Sequence, residues 1–221
     1  MMPRRQTFLS SGAMTMFRAI AMAAAVLAVS VSATARDADG PGGGGDMRRY
    51  LNGQFLVATR NMGDPRFAET VIYMVKHNPS GAFGLIINRA FGAGSMKEFL
   101  KGFDIDASAV EGDIRLHYGG PVSPAVGFVL HTADFNGPDT QVVNDKMALT
   151  TEKSVLMAIA EGQGPRRRLF AFGYAGWGAG QLEGEIARGD WFNVPADEQL
   201  IFDEDLKTKW SRASDKVRVR L

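Results

Sequence analysis

The stretch that most constrains the fold is a glycine-rich connection between an apolar run and a helical pattern. Residues 169–172 (Leu-Phe-Ala-Phe) are typical of a buried strand, and Leu182 and Ile186 sit four apart, as on one face of a helix. Residues 173–183 follow the apolar run and include the start of the helical pattern. They carry glycines at 173, 176, 178 and 180. Glycines allow positive φ angles and close backbone approach. The sequence therefore predicts a strand that passes into a helix through a glycine-rich loop.

The same loop holds two large aromatic residues, Tyr174 and Trp177, which a simple connection would not require. One interpretation is a binding nest, in which backbone N–H groups at a helix start face an anionic ligand. The other is packing, with the helix held close to the sheet and Trp177 filling the core. The spacing matches neither the dinucleotide fingerprint nor the phosphate loop. We favour packing, because glycine-rich turns serve packing as readily as ligands.

Charge and cysteine content exclude several classes of function. The net charge of the 221 residues is +1, but residues 1–35 carry three arginines and no acid, which leaves −2 on the rest. A near-neutral body argues against an electrostatically driven nucleic-acid binder, so no tight nucleic-acid binding is expected. The chain has no cysteine, which excludes a disulfide, a thiolate nucleophile and a cysteine zinc site.

Residues 1–35 resemble a signal peptide. Three arginines precede an alanine-rich run at 19–31, and this run is too short for a comfortable membrane span. Ala-Thr-Ala at 33–35 then fits a cleavage site. We therefore expect an exported, periplasmic protein without a transmembrane helix in the mature chain. The alternative is a true start at Met47, since the glycine codons just before it are purine-rich and resemble a ribosome-binding site. The protein would then be cytoplasmic.

The remaining chain predicts a linker, one domain and a tail. Residues 36–49 are rich in Gly and Asp and predict a flexible linker, residues 50–212 the domain, and residues 213–221 a tail that is an edge strand or frayed. Apolar periodicity and turn residues predict strands at 55–59, 70–77, 82–88, 114–118, 126–131, 169–172 and 191–195 and helices at 95–103, 152–161, 182–188 and 205–212. The strands at 70–77 and 82–88 are expected to form an antiparallel hairpin.

Several motifs together resemble the YqgE/AlgH family. They are Asp-Pro-Arg-Phe at 64–67, Gly-Ala-Phe-Gly-Leu-Ile-Ile-Asn at 81–88, Gly-Gly-Pro-Val at 119–122, Phe-Val-Leu-His at 128–131, Leu-Thr-Thr at 149–151 and the whole of 173–183. The resemblance covers roughly residues 50–210. It implies a single α+β domain with a mixed, partly barrel-like sheet flanked by helices. Family members are labelled transcriptional regulators, and the resemblance brings no catalytic residues. Most members begin close to the first strand, so the leader here is a departure.

Three histidines are candidates for chemistry, because His77, His117 and His131 each stand at the end of a predicted strand. Three converging imidazoles would suit zinc or copper. No ligand spacing or nearby carboxylate supports that geometry, so we predict no metal and no cofactor, and expect the imidazoles to cap backbone carbonyls. A hydrolase triad with Ser80 has less support, because Ser80 is not on a Gly-x-Ser-x-Gly elbow.

Charged residues inside the family motifs have both a binding and a structural interpretation. Arg66 could hold a carboxylate or phosphate in a fork, or pair with Asp64 or Glu183; we favour the structural pair. Glu183 and Glu185 could act as paired carboxylates, but two apart at a helix start they point to different sides. The run Arg166–Arg168 could touch nucleic acid, although a solvated loop end is the interpretation we favour.

Our sequence-based hypothesis is a small binding or regulatory module for an unknown protein or small molecule. The ligand is expected where the 173–183 loop meets the turn at 119–121. The candidate binding residues are Arg66, Asn88, Gly119, Gly120, His131, Tyr174, Trp177, Gly178, Gly180 and Gln181. One alternative is a hydrolase-type enzyme that uses His and carboxylate side chains in a cleft beside that loop. The other is a nucleic-acid-binding regulator.

Overall fold

The computed structural model describes residues 50–218, so the predicted leader, linker and last three residues lie outside the described chain. The strands are β1 Gln54–Ala58, β2 Val71–Asn78, β3 Gly81–Ile86, β4 Ala90–Ser95, β5 Asp113–Tyr118, β6 Val122–Thr132, β7 Thr140–Val142, β8 Met147–Thr150, β9 Arg168–Gly178 and β10 Trp191–Pro195. The helices of this part of the chain are α1 Met96–Lys101, α2 Lys153–Ala160, α3 Gln181–Ala187, α4 Glu198–Phe202 and α5 Lys209–Arg218.

The ten strands form one curled sheet with β9 at its centre. The strand order is β10-β1-β2-β3-β9-β6-β8-β7, with β5 attached to β9 and β4 to β5. Only the β5–β9 pair is parallel among the described strands. The first half of β9 pairs with β5 and β6, and its second half pairs with β3. This half-barrel with flanking helices confirms the predicted mixed, partly barrel-like α+β domain, and β2 and β3 form the predicted hairpin.

Both faces of the central strands are buried, which explains their continuous apolar sequence. Along β2, Tyr73 lies in the core inside the curl, together with residues from α4 and α5. The neighbouring Ile72 points to the opposite face, where Leu182 of α3 packs. A further core lies between α1, α2 and the strands β5, β6 and β9. Helices therefore cover the sheet on both sides, as the alternation of side chains along a strand requires.

Several elements differ from the sequence-based expectation, and β7 and β8 are strands where none was predicted. The organising strand does not end at residue 172 but continues to Gly178, so only Ala179 and Gly180 separate it from α3. The short strand β4 was not predicted, since its sequence, Ala-Phe-Gly-Ala-Gly-Ser, lacks β-branched residues and alternation. Residues 198–202 form a helix for which no helix was predicted, and the Asp197 side chain caps it by accepting a hydrogen bond from Leu200 N at 2.7 Å.

The C-terminal boundary also differs. The expected helix at 205–212 begins at Lys209 and runs to Arg218, so the first six residues of the predicted tail belong to α5. Ala213 of this helix is fully buried in the core. Of the two alternatives for the tail at 213–221, an edge strand or a frayed end, the edge strand is therefore wrong for residues 213–218, and the last three residues lie outside the described residues. Within residues 50–218, no helix is long and apolar enough to span a membrane.

Candidate functional site

The residues around the end of β9 form a closed hydrogen-bond network. Trp177 is 7% exposed, and its Nε1 donates to Glu185 Oε2 at 2.8 Å. Trp191 Nε1 donates to the same oxygen, also at 2.8 Å. Gln181 Nε2 donates to Glu185 Oε1 at 2.9 Å, and Gln181 Oε1 accepts from Gly178 N at 3.1 Å. Glu185 therefore accepts hydrogen bonds from Trp177, Trp191 and Gln181, and this network favours the packing interpretation of the loop.

The junction at which we expected a ligand is filled by the chain itself. A Cβ on Gly120 would lie 2.1 Å from the Tyr174 carbonyl carbon, and one on Gly119 would lie 2.2 Å from Gly173 O. Gly120 and Gly173 also have φ angles of 152° and 69°, where glycine is favoured. These glycines let two backbones cross in contact, at the point where β9 changes its neighbour from β5 to β3. They act in packing at this crossing.

The other predicted binding residues of the loop divide between core and solvent. The half-buried ring of Tyr174 packs on Phe83, with ring centroids 4.9 Å apart, and on Phe128. Gly178 and Gly180 are exposed. Gly180 has a φ of 73° and open space where a side chain would stand. The loop therefore combines a buried Trp177 with an open backbone beside it.

The histidines do not converge. His77 is 3% exposed; its Nδ1 accepts from Leu51 N at 3.2 Å, and its Nε2 lies 3.1 Å from Glu183 Oε1. Because Nδ1 is an acceptor, the neutral ring carries its proton on Nε2 and donates it to Glu183. Both ring nitrogens are occupied, so His77 offers no accessible base for hydrolysis. Across residues 50–218 no group of three His, Asp or Glu side chains could hold a metal ion.

His131 is buried in a continuous chain of hydrogen bonds. Its Nδ1 donates to Thr132 O at 2.8 Å, and its Nε2 accepts from Thr150 Oγ1 at 3.0 Å. Thr140 Oγ1 lies 2.9 Å from Thr150 Oγ1 and accepts from Gly137 N at 3.0 Å. Burial lowers the pKa of His131, so the ring is held neutral. This predicted binding residue connects β6 to β8 and to the loop before β7.

Arg66 and Asn88 organise the loop between β1 and β2. The Arg66 guanidinium forms a fork with Asp64, with Nη2 2.7 Å from Oδ2, which is the structural pair that we favoured. Asn88 Oδ1 accepts from Val71 N at 2.9 Å, and its Nδ2 donates to Glu69 O at 2.9 Å. Glu183 and Glu185 contact different partners, as their spacing indicated. These residues are therefore not gathered into one site.

A cleft that sequence analysis missed lies on the other side of the sheet, between β5, the start of β9 and the segment after α4. Its volume is about 330 Å³. Its polar lining includes His117, Asp113, Asp203, Glu204, Arg115 and the run Arg166–Arg168. The arginine run was visible in the sequence, but the residues of β5 that line the cleft with it lie about 50 residues earlier in the chain. Only the parallel pairing of β5 with β9 brings the two groups together.

Positive charge is in excess around this cleft. Four guanidinium groups face three carboxylates in the lining, and one of these, Asp203, is paired with Arg212 outside it at 2.7 Å. Arg115 donates to Glu204 O and Oε2, at 2.7 and 3.0 Å. Arg166 and Arg167 share one carboxylate, Glu198, each at 3.5 Å.

The fourth guanidinium, that of Arg168, donates to Pro165 O at 3.3 Å. Within residues 50–218 it has no carboxylate within 4 Å. Since a guanidinium carries five N–H donors, several remain available at the cleft.

A buried lysine lies behind the cleft. Lys209 is fully buried, and its Nζ donates to Ile201 O at 2.7 Å and to Ile87 O at 3.3 Å. Burial lowers the pKa of Lys209 to about 8, so the ammonium remains mostly charged at pH 7. Burial and the nearby Lys209 lower the pKa of His117 to about 4, and Arg115 contributes in the same direction. The cleft therefore combines a neutral imidazole with surrounding cations.

Comparison with known proteins identifies the family to which this architecture belongs. The model of the AlgH-like family, DUF179, matches residues 55–221. The chain belongs to the AlgH-like family. A UPF0301 protein of Rhodospirillum rubrum is 46% identical over 170 residues, 77% of this chain and 88% of its own length. Another UPF0301 protein, from Methylococcus capsulatus, is 49% identical over 162 residues, 73% of this chain and 88% of its own.

Two solved structures share the AlgH-like fold. The solution structure of the AlgH protein from Pseudomonas aeruginosa is 36% identical, with a TM-score of 0.63, and the match covers 82% of this chain and 93% of that one. Protein DIP2367 from Corynebacterium diphtheriae is 19% identical with a TM-score of 0.59, which shows the fold alone. The resemblance to the YqgE/AlgH family is thereby confirmed. None of these four names states a reaction or a substrate.

Proposed function

We propose that this AlgH-like protein is a small binding module that takes an anionic small molecule in the cleft between β5, the start of β9 and the segment after α4. The observation that carries the proposal is the excess of guanidinium groups in a cleft of about 330 Å³, a volume within the usual range for small-ligand sites. Guanidinium groups recognise carboxylates and phosphates through paired hydrogen bonds. This moves the expected site away from the 173–183 loop.

The geometry of the cations supports a single bound anion rather than a nucleic-acid strand. Arg115 comes from the middle of β5 and Arg168 from the first residue of β9, so both stand on rigid strands that are joined through the β5–β9 pair. Long basic surfaces that follow a phosphate backbone are typical of nucleic-acid binders, and the mature body carries a charge of about −2. The regulator label of the family therefore fits a ligand-responsive module better than direct contact with DNA.

The test is a thermal-shift titration with inorganic phosphate and with sulfate at low ionic strength. Ligand that binds only the folded state raises the melting temperature with concentration. We expect a shift in the parent and its loss in Arg115→Gln/Arg168→Gln. The matched control is Arg188→Gln, which removes a positive charge from an exposed ion pair with Asp190 on the surface at the end of α3. Equal shifts in the two variants, or none in the parent, would overturn the proposal.

Direct regulation through DNA is tested separately. We expect no sub-micromolar, sequence-specific complex in a gel-shift assay at physiological salt, because the charge excess is confined to one cleft. Such a complex, lost in Arg115→Gln/Arg168→Gln, would assign the cleft to nucleic acid instead.

The hydrolase alternative has one observation in its favour, the contact of His77 with Glu183 at 3.1 Å. It needs a ring nitrogen that reaches a substrate, and both nitrogens of His77 are already occupied. We therefore expect no turnover of simple esters, and equal rates for the parent and Glu183→Gln. Turnover that is lost in Glu183→Gln would favour the enzyme.

For the leader we propose removal on export. If residues 1–35 are a signal peptide, the mature protein begins at Arg36. Mass spectrometry of the N-terminus of cell-purified protein checks this. A first residue at Met47 in cytosolic protein would contradict it.

A further inference from the structure

The proposed anion cleft is lined in part by His117, a histidine that is only 6% exposed. Its Nδ1 lies 3.2 Å from Phe170 O. A carbonyl oxygen can only accept, so Nδ1 carries the proton and Nε2 of the neutral ring is left with a free lone pair. The tautomer of His117 is therefore set by the strand that lies next to it.

The Nε2 atom of His117 is not sealed from the cleft that the residue lines. Among residues 50–218 no group donates a hydrogen bond to it, and Ser154 Oγ is the only side-chain polar atom there that is both buried and unpartnered. Since buried polar groups are normally hydrogen-bonded, an acceptor left open at a cleft wall points to a donor supplied from the cleft.

The surroundings favour a hydrogen-bond donor that is not itself a cation. Arg115 lies two residues before His117 on β5, so the two side chains share one face of the strand. Lys209 and Arg115 place positive charge beside the ring, which disfavours a bound ammonium group. A neutral hydroxyl or amide N–H is therefore the donor that suits Nε2.

Resting on the proposed function, we infer that the ligand is an anion that carries a hydroxyl or amide hydrogen-bond donor: guanidinium groups hold the anionic end, and His117 Nε2 accepts from the donor. Hydroxylated phosphate esters and hydroxycarboxylates share this chemistry. His117 acts here as a specificity-determining residue, because a buried acceptor left unpaired penalises an analogue without the donor. No covalent step is involved.

Matched pairs of probes test the inference by isothermal calorimetry. Glycerol 3-phosphate is compared with propyl phosphate, and lactate with propionate, so that the anion is kept while the hydroxyl is removed. One net hydrogen bond corresponds to about fivefold in affinity, so the hydroxylated member of one pair is expected to bind about fivefold tighter or more. The pair that shows this preference identifies phosphate or carboxylate as the anionic end.

The variant His117→Phe removes the acceptor, and its expected effect is loss of the preference, with the affinity for propyl phosphate or propionate kept or raised because the unpaired acceptor is gone. If this variant does not fold, ¹⁵N NMR of His117 in the parent replaces it: binding of the hydroxylated probe is expected to move the Nε2 resonance, and the analogue is expected to leave it in place. Equal affinities for both members of each pair, or an unmoved Nε2 resonance, would overturn the inference but leave anion binding intact. No binding of any anion would instead overturn the proposed function.

Discussion

The indole nitrogens of Trp177 and Trp191 converge on one carboxylate oxygen, Glu185 Oε2, at 2.8 Å each. The two rings meet edge to face with centroids 6.0 Å apart. Trp177 lies at the end of β9, Trp191 at the start of β10, and Glu185 on the helix between them. A single carboxylate therefore satisfies both buried indole N–H groups and holds α3 against the sheet.

Trp177→Ala is expected to lower the free energy of unfolding by about 3–5 kcal/mol, because a large buried ring is removed and a cavity remains. Denaturant unfolding measures this. The matched control is Trp210→Ala, since Trp210 is only half-buried and makes one indole hydrogen bond, to Ala58 O at 2.8 Å. A loss of only about 1 kcal/mol in Trp177→Ala would contradict its role in the core.

Glu185→Leu is expected to destabilise more than Glu185→Gln. The leucine leaves two buried indole N–H groups without an acceptor, at about 1–3 kcal/mol each. Glutamine keeps one carbonyl oxygen that can accept from both rings, so its expected cost is about 1 kcal/mol. Chemical unfolding of the two variants under identical conditions gives the difference. Equal losses would show that the indole hydrogen bonds contribute little.

The glycines of the organising motif are expected to differ in their tolerance of alanine. Gly178→Ala is expected to be nearly silent, because its φ is not positive and its nearest contact, Gln181 Oε1, is 3.9 Å away. Gly180→Ala costs about 1 kcal/mol, since alanine is strained at a φ of 73° even in open space. Gly120→Ala combines positive φ with a backbone clash and is expected to cost roughly 3 kcal/mol or more.

Thermal and denaturant unfolding of the three glycine variants provide the ranking. A destabilising Gly178→Ala beside a silent Gly120→Ala would reverse it and would contradict the packed backbone crossing between Gly120 and Tyr174.

Much of the fold was predictable from local patterns, because the hairpin of β2 and β3 and the helix α2 carry clear apolar runs and turns. The length of β9 was not. Gly173, Gly176 and Gly178 read as a loop in sequence, whereas in the fold the backbone of Gly120 approaches the strand at Gly173 and the Tyr174 ring lies against it at Gly176. Glycine thus signals close approach as well as a turn, and only the tertiary partner decides between them.

The candidate site was less predictable than the fold. The loop at 173–183 drew attention because its signal is local, while the basic cleft depends on the pairing of β5 with β9 across some 50 residues. His117 was considered only as one of three histidines near strand ends, and the other two, His77 and His131, lie in other hydrogen-bond groups. Long-range pairing of this kind leaves no periodic trace in one sequence.

The pH dependence of stability is expected to carry the signature of His117. Burial and the nearby Lys209 lower its pKa to about 4 in the folded chain, against about 6.5 when unfolded. Between these values the unfolded state binds more protons, so stability is lost as the pH falls from about 6.5 to about 4. The full difference corresponds to about 3 kcal/mol, at 1.36 kcal/mol for each pKa unit.

The measurement is denaturant unfolding at a series of pH values for the parent and for His117→Gln. Both chains share the carboxylates that titrate in acid, so the difference between their two curves isolates the imidazole. We expect this difference to change by about 3 kcal/mol between pH 6.5 and pH 4 and to be flat above pH 7. Lys209→Met removes a neighbouring cation, so an NMR titration of that variant is expected to give a higher His117 pKa than in the parent. If the curves of unfolding free energy against pH are parallel for the parent and His117→Gln, His117 takes up a proton as readily in the folded chain as in the unfolded chain. That result would contradict the burial of His117 beside Lys209.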